Sequence, residues 1–595
     1  MSAPATSLAD ALRDVSVEAR RAQIFPRLPP ADIARIKPLG QLHCFAAGEP
    51  LARAGEAGQG IILILSGEAV TTQRDRDGRQ RVIETSAPGG FHGELAQLSG
   101  RPWLVDVHAK TAVEALTLTP EGLRALLISE ADLGDRIMRA MILRRVLLIE
   151  AHLGGPIIVG VSGSADVLRL ETFLARNTHP WQLLDAATDA VAQAHIERLQ
   201  IAPCELPLVL CTDGQLLRNP TVHQLARCIG LVGVIDRDKI YDVAVVGAGP
   251  AGLATSVYAG SEGLATLTLD GNAFGGQAGA SARIENYLGF PTGISGLALA
   301  ARAYNQAQKF GVEMAIPGRV VALDTADGGT IQRLRLASDE CVRARTVVIA
   351  SGASYRRLPI PNLEKFEMTA LHYWASPIEA RLCTGADVAL VGAGNSAGQA
   401  AVYLAGYARR VFVLVRREGL GATMSRYLVD RIAGLANVEV MARTEVVALE
   451  DRDGALEAVR WRSTDGAEGT LPVRHLFCFI GADPNTGWLT GAGVALDRNG
   501  FVLTGADAGS GTRHSLETTR PGVFAVGDVR AGSTKRVSAA VGDGAHVVAA
   551  IHTHLAPAPK VLEKASTVFP NHLEPIGLEK FNPADSPQHQ MRSAQ

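Results

Sequence analysis

The chain has no two cysteines spaced by two residues, no long apolar run and no block of lysine and arginine. Each absence removes a class of explanation. Cys44, Cys204, Cys211, Cys228, Cys341, Cys383 and Cys478 stand singly, so neither a Cys-x-x-Cys centre nor a disulfide framework is written in the sequence, and single thiols fit a reducing compartment. No segment nears the roughly 18 apolar residues of a membrane span, and residues 1–23 carry acidic side chains and no apolar core. A cytoplasmic protein without leader or membrane partner is therefore expected. A formal charge of −2, from 58 basic and 60 acidic residues without a basic block, argues against nucleic acid as a partner. No metal site is expected. What is present is length and glycine: 595 residues with 62 glycines and 47% hydrophobic residues leave room for three or four domains with proper cores.

The glycines carry a repeat. "YDVAVVGAGPAGLA" at Tyr241–Ala254 returns as "ADVALVGAGNSAGQA" at Ala386–Ala400, each an apolar strand, a glycine-rich turn and a helical pattern. In such a unit the first glycine (Gly247, Gly392) makes the turn, and the second (Gly249, Gly394) lets backbone amides approach a pyrophosphate at a helix N-terminus. Gly252 takes the third position of the first unit, and Asp270 ends its next apolar strand, where a carboxylate accepts hydrogen bonds from a ribose. The second unit continues with Asn395, Ser396 and Ala397. Its following strand ends on Arg416 and Arg417 instead of a carboxylate, a guanidinium pair suited to the 2′-phosphate of NADPH, with Arg426 as a third candidate cation. "TTRPGVFAVGDV", containing Gly527 and Asp528, resembles the closing flavin motif of two-dinucleotide flavoproteins, in which an aspartate contacts the ribityl chain. FAD and NADPH are the cofactors expected.

From about Lys239 to Leu555 the chain resembles the low-molecular-weight thioredoxin reductase family. The likeness rests on "GAGPAG", "GGQAGASARIENYLGFPTGISG", "VVIASGASYRRL", "GAGNSA", "VRR", "FIGADPNT" and "GVFAVGDVRAGSTKRVSAAVGDGAHVVAAI", in the family's order and spacing. It implies a discontinuous FAD domain (239–360 and 480–555) around an NAD(P)H domain (361–479), both three-layer α/β Rossmann-like folds. It places Gln277 and Asn286 beside the flavin, Gly352 on the strand returning from the FAD domain, and Asp528 and Arg536 at the ribityl chain and isoalloxazine. Counting back from Gly392 puts the family's two catalytic cysteines on Ala375 and Ile378, neither of which accepts electrons as a dithiol does. Cys383 and Cys478 read as buried small hydrophobes in preference to members of a pair formed between distant cysteines. His372, Tyr373 and Trp374 read first as packing between the nucleotide domains, with a proton-donating role for His372 as the alternative.

Two modules precede the flavoenzyme. Over 20–150, "FAAGEPLARAGEAGQGIILILSGEAV" and "GGFHGELAQLSGRPWLVDVHA" resemble a cyclic-nucleotide-binding domain, a β-barrel whose cassette uses backbone amides, a ribose-binding glutamate and a phosphate-pairing arginine. Gly93 and Glu94 match the first two; the arginine position is Trp103, leaving Arg101 as the remaining candidate cation for a regulatory nucleotide. Residues 155–235 run strand, helix, strand, helix, hairpin, helix. That order resembles an α/β thioredoxin or glutaredoxin-like domain with Pro207 as its cis-proline, but "VSGSADVLRL" stands where its Cys-x-x-Cys belongs. The module is expected to be redox-silent and to serve docking or linking. Residues 556–595, rich in proline and polar side chains, read as a flexible tail.

Taken together the modules resemble bacterial cyclic-nucleotide-binding-domain-containing thioredoxin-disulfide reductases. The resemblance implies a multidomain homodimeric NADPH oxidoreductase with FAD. Without the disulfide, the first reading sends electrons to an acceptor docking at the flavin: a ferredoxin or flavodoxin, a small disulfide, a quinone or dioxygen. The alternatives are thioredoxin-disulfide reduction itself, or a redox and ligand sensor with little turnover.

Overall fold

A computed structural model describes residues 21–556, apart from 75–79, 233–234, 282, 327–329, 368, 453–454 and 510–513. The tail expected over 556–595 lies outside the described residues except for residue 556. Among the described residues no helix is long and apolar enough to cross a membrane.

The N-terminal module is two four-stranded antiparallel sheets, ordered 41–45, 113–118, 61–66, 91–92 and 50–52, 106–109, 69–74, 80–86. Alternation builds it: in Val113–Leu118 the side chains of Val113 and Ala115 join Ile62, Ile64, Val107 and Ala109 between the sheets, while Leu116 and Leu118 turn to the helices outside. The helix Ala131–Glu150 leaves this barrel and a strand, Ile157–Gly160, follows it. That strand starts a four-stranded sheet ordered 182–185, 157–160, 208–210, 216–218, with one parallel and two antiparallel pairings. The Leu206–Pro207 bond is cis, in the place expected for it.

This module corrects one expectation. Cys211, at the end of strand Leu208–Leu210, and Cys228, at the end of helix Val222–Cys228, form a disulfide with their Cα atoms 5.6 Å apart. The hairpin and the closing helix bring together residues that linear spacing leaves 17 apart. The thioredoxin-like module therefore carries a cysteine pair, away from the N-terminus of its first helix, where none stands. The remaining cysteines are free.

In the next sheet, the parallel strands Glu313–Ala315, Thr266–Leu269, Ile240–Val246 and Cys341–Ile349 are joined by Val523–Ala525, which pairs with Cys341–Ile349 although about 170 residues separate them in sequence. Between these two segments lies a second parallel sheet ordered 371–372, 475–478, 387–391, 410–415, 438–442, with a three-stranded antiparallel sheet beyond it. The strands of both parallel sheets are near-continuous apolar runs because both faces are buried, one under helices and the other under further strands: 320–326 and 331–336 against the first sheet, and 444–452, 455–463 and 468–471 against the second. The chain passes between these sheets twice, and the two crossings pair as an antiparallel ribbon, Ala353–Tyr355 with Ala482–Pro484. Both ribbon strands fall a few residues inside the expected FAD segments, before the junction at 360–361 and after the one at 479–480.

Candidate functional site: a cleft between two dinucleotide folds

The strand Ile240–Val246 runs into Gly247, whose φ of +114° is open to glycine and disfavoured for side chains. A Cβ there would meet the Ala350 carbonyl oxygen at 2.2 Å, and a Cβ at Gly252 would meet the Gly247 carbonyl oxygen at 1.8 Å. Strand, turn and helix are thus packed as closely as backbone allows. The helix Pro250–Ser261 begins after Gly249 with no side chain capping it, and its first turn lines a cleft of about 1220 Å³. An uncapped helix start with backbone N–H groups toward a cavity is a receptor for a pyrophosphate. Asp270 lines the same cleft and is fixed by the amides of Ala248, Asn272 and Ala273 at 2.9, 3.0 and 3.3 Å. Burial raises its pKa, and those three amides with Arg176 pull it back down.

Gln277, Asn286, Gly352, Asp528 and Arg536 all reach the cleft as well. Gln277 donates to the Ala353 carbonyl at 2.5 Å, tying its turn to the ribbon. Burial raises the pKa of Asp528, opposed by nearby Lys535, which donates to the Asp528 carbonyl. Gly527 is buried behind it, its amide held by Asp543 at 3.0 Å.

On the second fold, Gly392 turns at φ +148° under the Phe479 carbonyl, and the helix Asn395–Leu404 starts at Gly394, again without a side-chain cap. Asn395 and Ser396 line the cleft; Asn395 also accepts the Ser425 amide at 2.7 Å, and Ala397 is core. Arg416 and Arg417 are exposed at the end of Arg410–Val415 and form no ion pair among the described residues, whereas Arg426 is paired with Asp430 at 2.8 Å. The free pair fits a phosphate better than the occupied one.

Between the folds lies His372–Glu379. Ser376 and Glu379 form a capping box that starts the helix Pro377–Leu382, and the same carboxylate accepts the Trp374 indole N–H at 3.0 Å. Ala375 and Ile378 are in the cleft wall, and no cysteine is. Cys383 and Cys478 are buried, with thiol pKa values pushed up to about 12 by burial. His372 packs against Phe477 with its ring tilted by 32° and meets His475 at 3.1 Å; burial holds its pKa down to about 3, so it is neutral and poorly suited to give up a proton near pH 7.

A family profile described as pyridine nucleotide-disulphide oxidoreductase matches residues 241–544, half of the chain. The chain belongs to that family. A second profile, the cyclic nucleotide-binding domain, matches residues 42–130. The thioredoxin reductase of Listeria innocua is 32% identical over 313 residues, 52% of this chain and 91% of that protein. NADPH-dependent thioredoxin reductase 3 of Arabidopsis thaliana is 34% identical over 320 residues; this chain spans 56% of its length and has 51% of its own covered. The Lactococcus lactis thioredoxin reductase crystal structure is 27% identical, covers 53% of this chain and 98% of its own, and superposes with a TM-score of 0.48.

As a pyridine nucleotide-disulphide oxidoreductase of the thioredoxin reductase kind, the chain uses FAD and NADPH. Its two glycine cradles and the free arginine pair fit those groups. The family's pattern does not lead to every residue of the cleft. Leu168, Thr172 and Arg176 enter it from one face of the helix Ala165–Arg176, which belongs to the thioredoxin-like module. Lys535 also lines it. The spacing i, i+4, i+8 on that helix was readable, but nothing local says what the face meets.

The cassette does not fit a cyclic nucleotide. Trp103, at the arginine position, is 4% exposed and packs in the apolar cluster between the barrel's sheets. Glu94 is buried and paired with Arg145, and Arg101 donates to the Tyr304 hydroxyl at 2.5 Å, outside the barrel. Gly93 passes its carbonyl to Arg144 at 2.9 Å. Of the expected nucleotide site, the side chains of Glu94 and Arg101 are thus taken up by the protein's own groups.

Proposed function

We propose that the chain is an NADPH:acceptor oxidoreductase in which electrons leave FAD directly for an acceptor docking at the cleft, a ferredoxin or flavodoxin or a small disulfide. The observation that carries this is the cleft wall: both dinucleotide folds contribute to it, and no cysteine does. When bound, FAD would supply the two-electron redox chemistry that links the nicotinamide to the acceptor. The chain's residues orient the partners. Gly247, Gly249 and Asp270 seat one nucleotide, Gly392, Gly394 and Ser396 the other, and Arg416 with Arg417 select the 2′-phosphate. Gln277, Asn286 and Asp528 border the flavin end. Family resemblance adds a homodimer, which sedimentation of the holoenzyme tests.

An anaerobic stopped-flow record of the flavin band tests the reading. Bleaching within seconds by NADPH, and much slower bleaching by NADH, is the expected result; a flavin that stays oxidised with both would sink it. The rival reading, thioredoxin reduction, draws on the names of the relatives. It gains only if thioredoxin is reduced rapidly and a single cysteine-to-serine change abolishes that rate.

A further inference from the structure

Two of the cassette residues, Arg101 and Glu94, lead to one place, the loop 270–277 that borders the cleft. Arg101 donates to Tyr304 and lies over its ring at 5.8 Å; Tyr304 in turn stacks on Phe274 of that loop, centroids 4.5 Å apart. Glu94 accepts the Arg145 guanidinium, Nε at 2.7 Å, and Arg145 Nη1 donates to the Thr178 carbonyl at 3.1 Å. Thr178 directly follows Asn177, whose amide donates to the Asn272 carbonyl at 3.3 Å, and Arg176, which donates to the Gly276 carbonyl at 3.1 Å. The loop is therefore held near both ends by the thioredoxin-like module, and its aromatic centre stacks on Tyr304, which Arg101 of the barrel holds.

We infer that the barrel and the thioredoxin-like module are a permanent part of the FAD site, with Arg101 and Arg176 as positioning residues for loop 270–277 and the former nucleotide cassette converted into the latch that holds them. The inference rests on the reading that this cleft holds FAD. A ribose competing for Glu94 would have to strip it from Arg145 and leave a buried guanidinium without its partner, and Trp103 already fills the interior. Arg176 adds a second influence: its guanidinium stands over the Trp374 ring at 5.8 Å and lowers the pKa of Asp270, so it contributes positive potential inside the cleft as well as a hydrogen bond to its wall.

The test uses full-length holoenzyme and the variants Arg176→Ala, Arg176→Lys, Arg101→Ala and Tyr304→Phe, with FAD release measured by fluorescence on dilution. Arg176→Ala and Arg101→Ala are each expected to weaken FAD binding about tenfold, the scale of one charge-assisted hydrogen bond. Tyr304→Phe keeps the stack on Phe274, so it weakens binding by less. Arg176→Lys restores most of the affinity, and Arg176→Ala alone shifts the visible flavin band. Titration of the wild type with cAMP or cGMP to millimolar concentration gives no binding heat. Unchanged FAD affinity in both alanine variants, with wild-type melting curves, overturns the inference; so does micromolar cyclic nucleotide binding. A wild-type protein that never retains FAD defeats the underlying reading instead.

Discussion

Two arginine pairs meet different fates in the second dinucleotide fold. Arg409 and Arg410 both close on Asp387, at 2.7 Å each, and that carboxylate is 1% exposed with its pKa held down to about 2, chiefly by the Arg409 hydrogen bond. Arg416 and Arg417, one strand length further on, have no such carboxylate. The first pair is committed to the fold and the second is left for a ligand. Asp387→Asn is expected to destabilise the chain by about 2–4 kcal/mol, since a buried partner of two guanidinium groups is lost; chemical denaturation measures it. Arg416→Ala and Arg417→Ala are each expected to raise the KM for NADPH about tenfold and leave that for NADH unchanged, as a lost phosphate contact requires. Equal effects on both nucleotides would remove the 2′-phosphate from the site.

Among the elements, the sheet of the thioredoxin-like module has a fold-level order that its sequence conveys and a cross-link that it does not. Strand and helix alternation, and Pro207 before the hairpin, are short-range signals; the Cys211–Cys228 pair exists only once the closing helix has packed on the sheet. Titration of thiols in denaturant is expected to count five before reduction and seven after it. Replacing either cysteine by serine is expected to lower the stability of the module by about 3 kcal/mol, the loop-entropy value for a closure of this length. A count of seven without reductant would contradict the pair. The same limit applies to the helix Ala165–Arg176. Its amphipathic face was legible, but Arg176 meets a carbonyl 100 positions away and Arg101 a hydroxyl 203 positions away. Glycine fingerprints are readable because the turn and helix start they build are local in sequence, even where the glycine packs on a distant strand; interdomain contacts of this kind leave no spacing to read.

For the whole molecule, acid sensitivity follows from buried imidazoles. His92, His179 and His372 have pKa values held down to about 3 and His475 to about 4, in each case mainly by burial. Below pH 6.5 the unfolded chain takes up protons there that the folded chain refuses, so stability falls as the pH drops from about 6.5 toward 4, while these groups contribute no pH dependence above about 7. Melting temperatures recorded from pH 8 to pH 4 check this: a plateau above 7 and a decline below 6.5 are expected, shallower in His92→Gln. A flat profile down to pH 4 would mean these rings stay solvated. The ribbon of Ala353–Tyr355 and Ala482–Pro484 has a mechanical consequence of another kind. Two strands crossing side by side leave the nucleotide-carrying halves chiefly one soft coordinate, a twist about the ribbon axis. Arg176 over Trp374 and the Arg431–Glu285 bridge at 2.9 Å both span that axis, one from the added module and one between the halves themselves. Partly exposed contacts of this kind are worth about 1 kcal/mol or less apiece, so they act as a torsional spring with a preferred angle, stiff enough to set the resting orientation and weak enough for thermal motion to overcome.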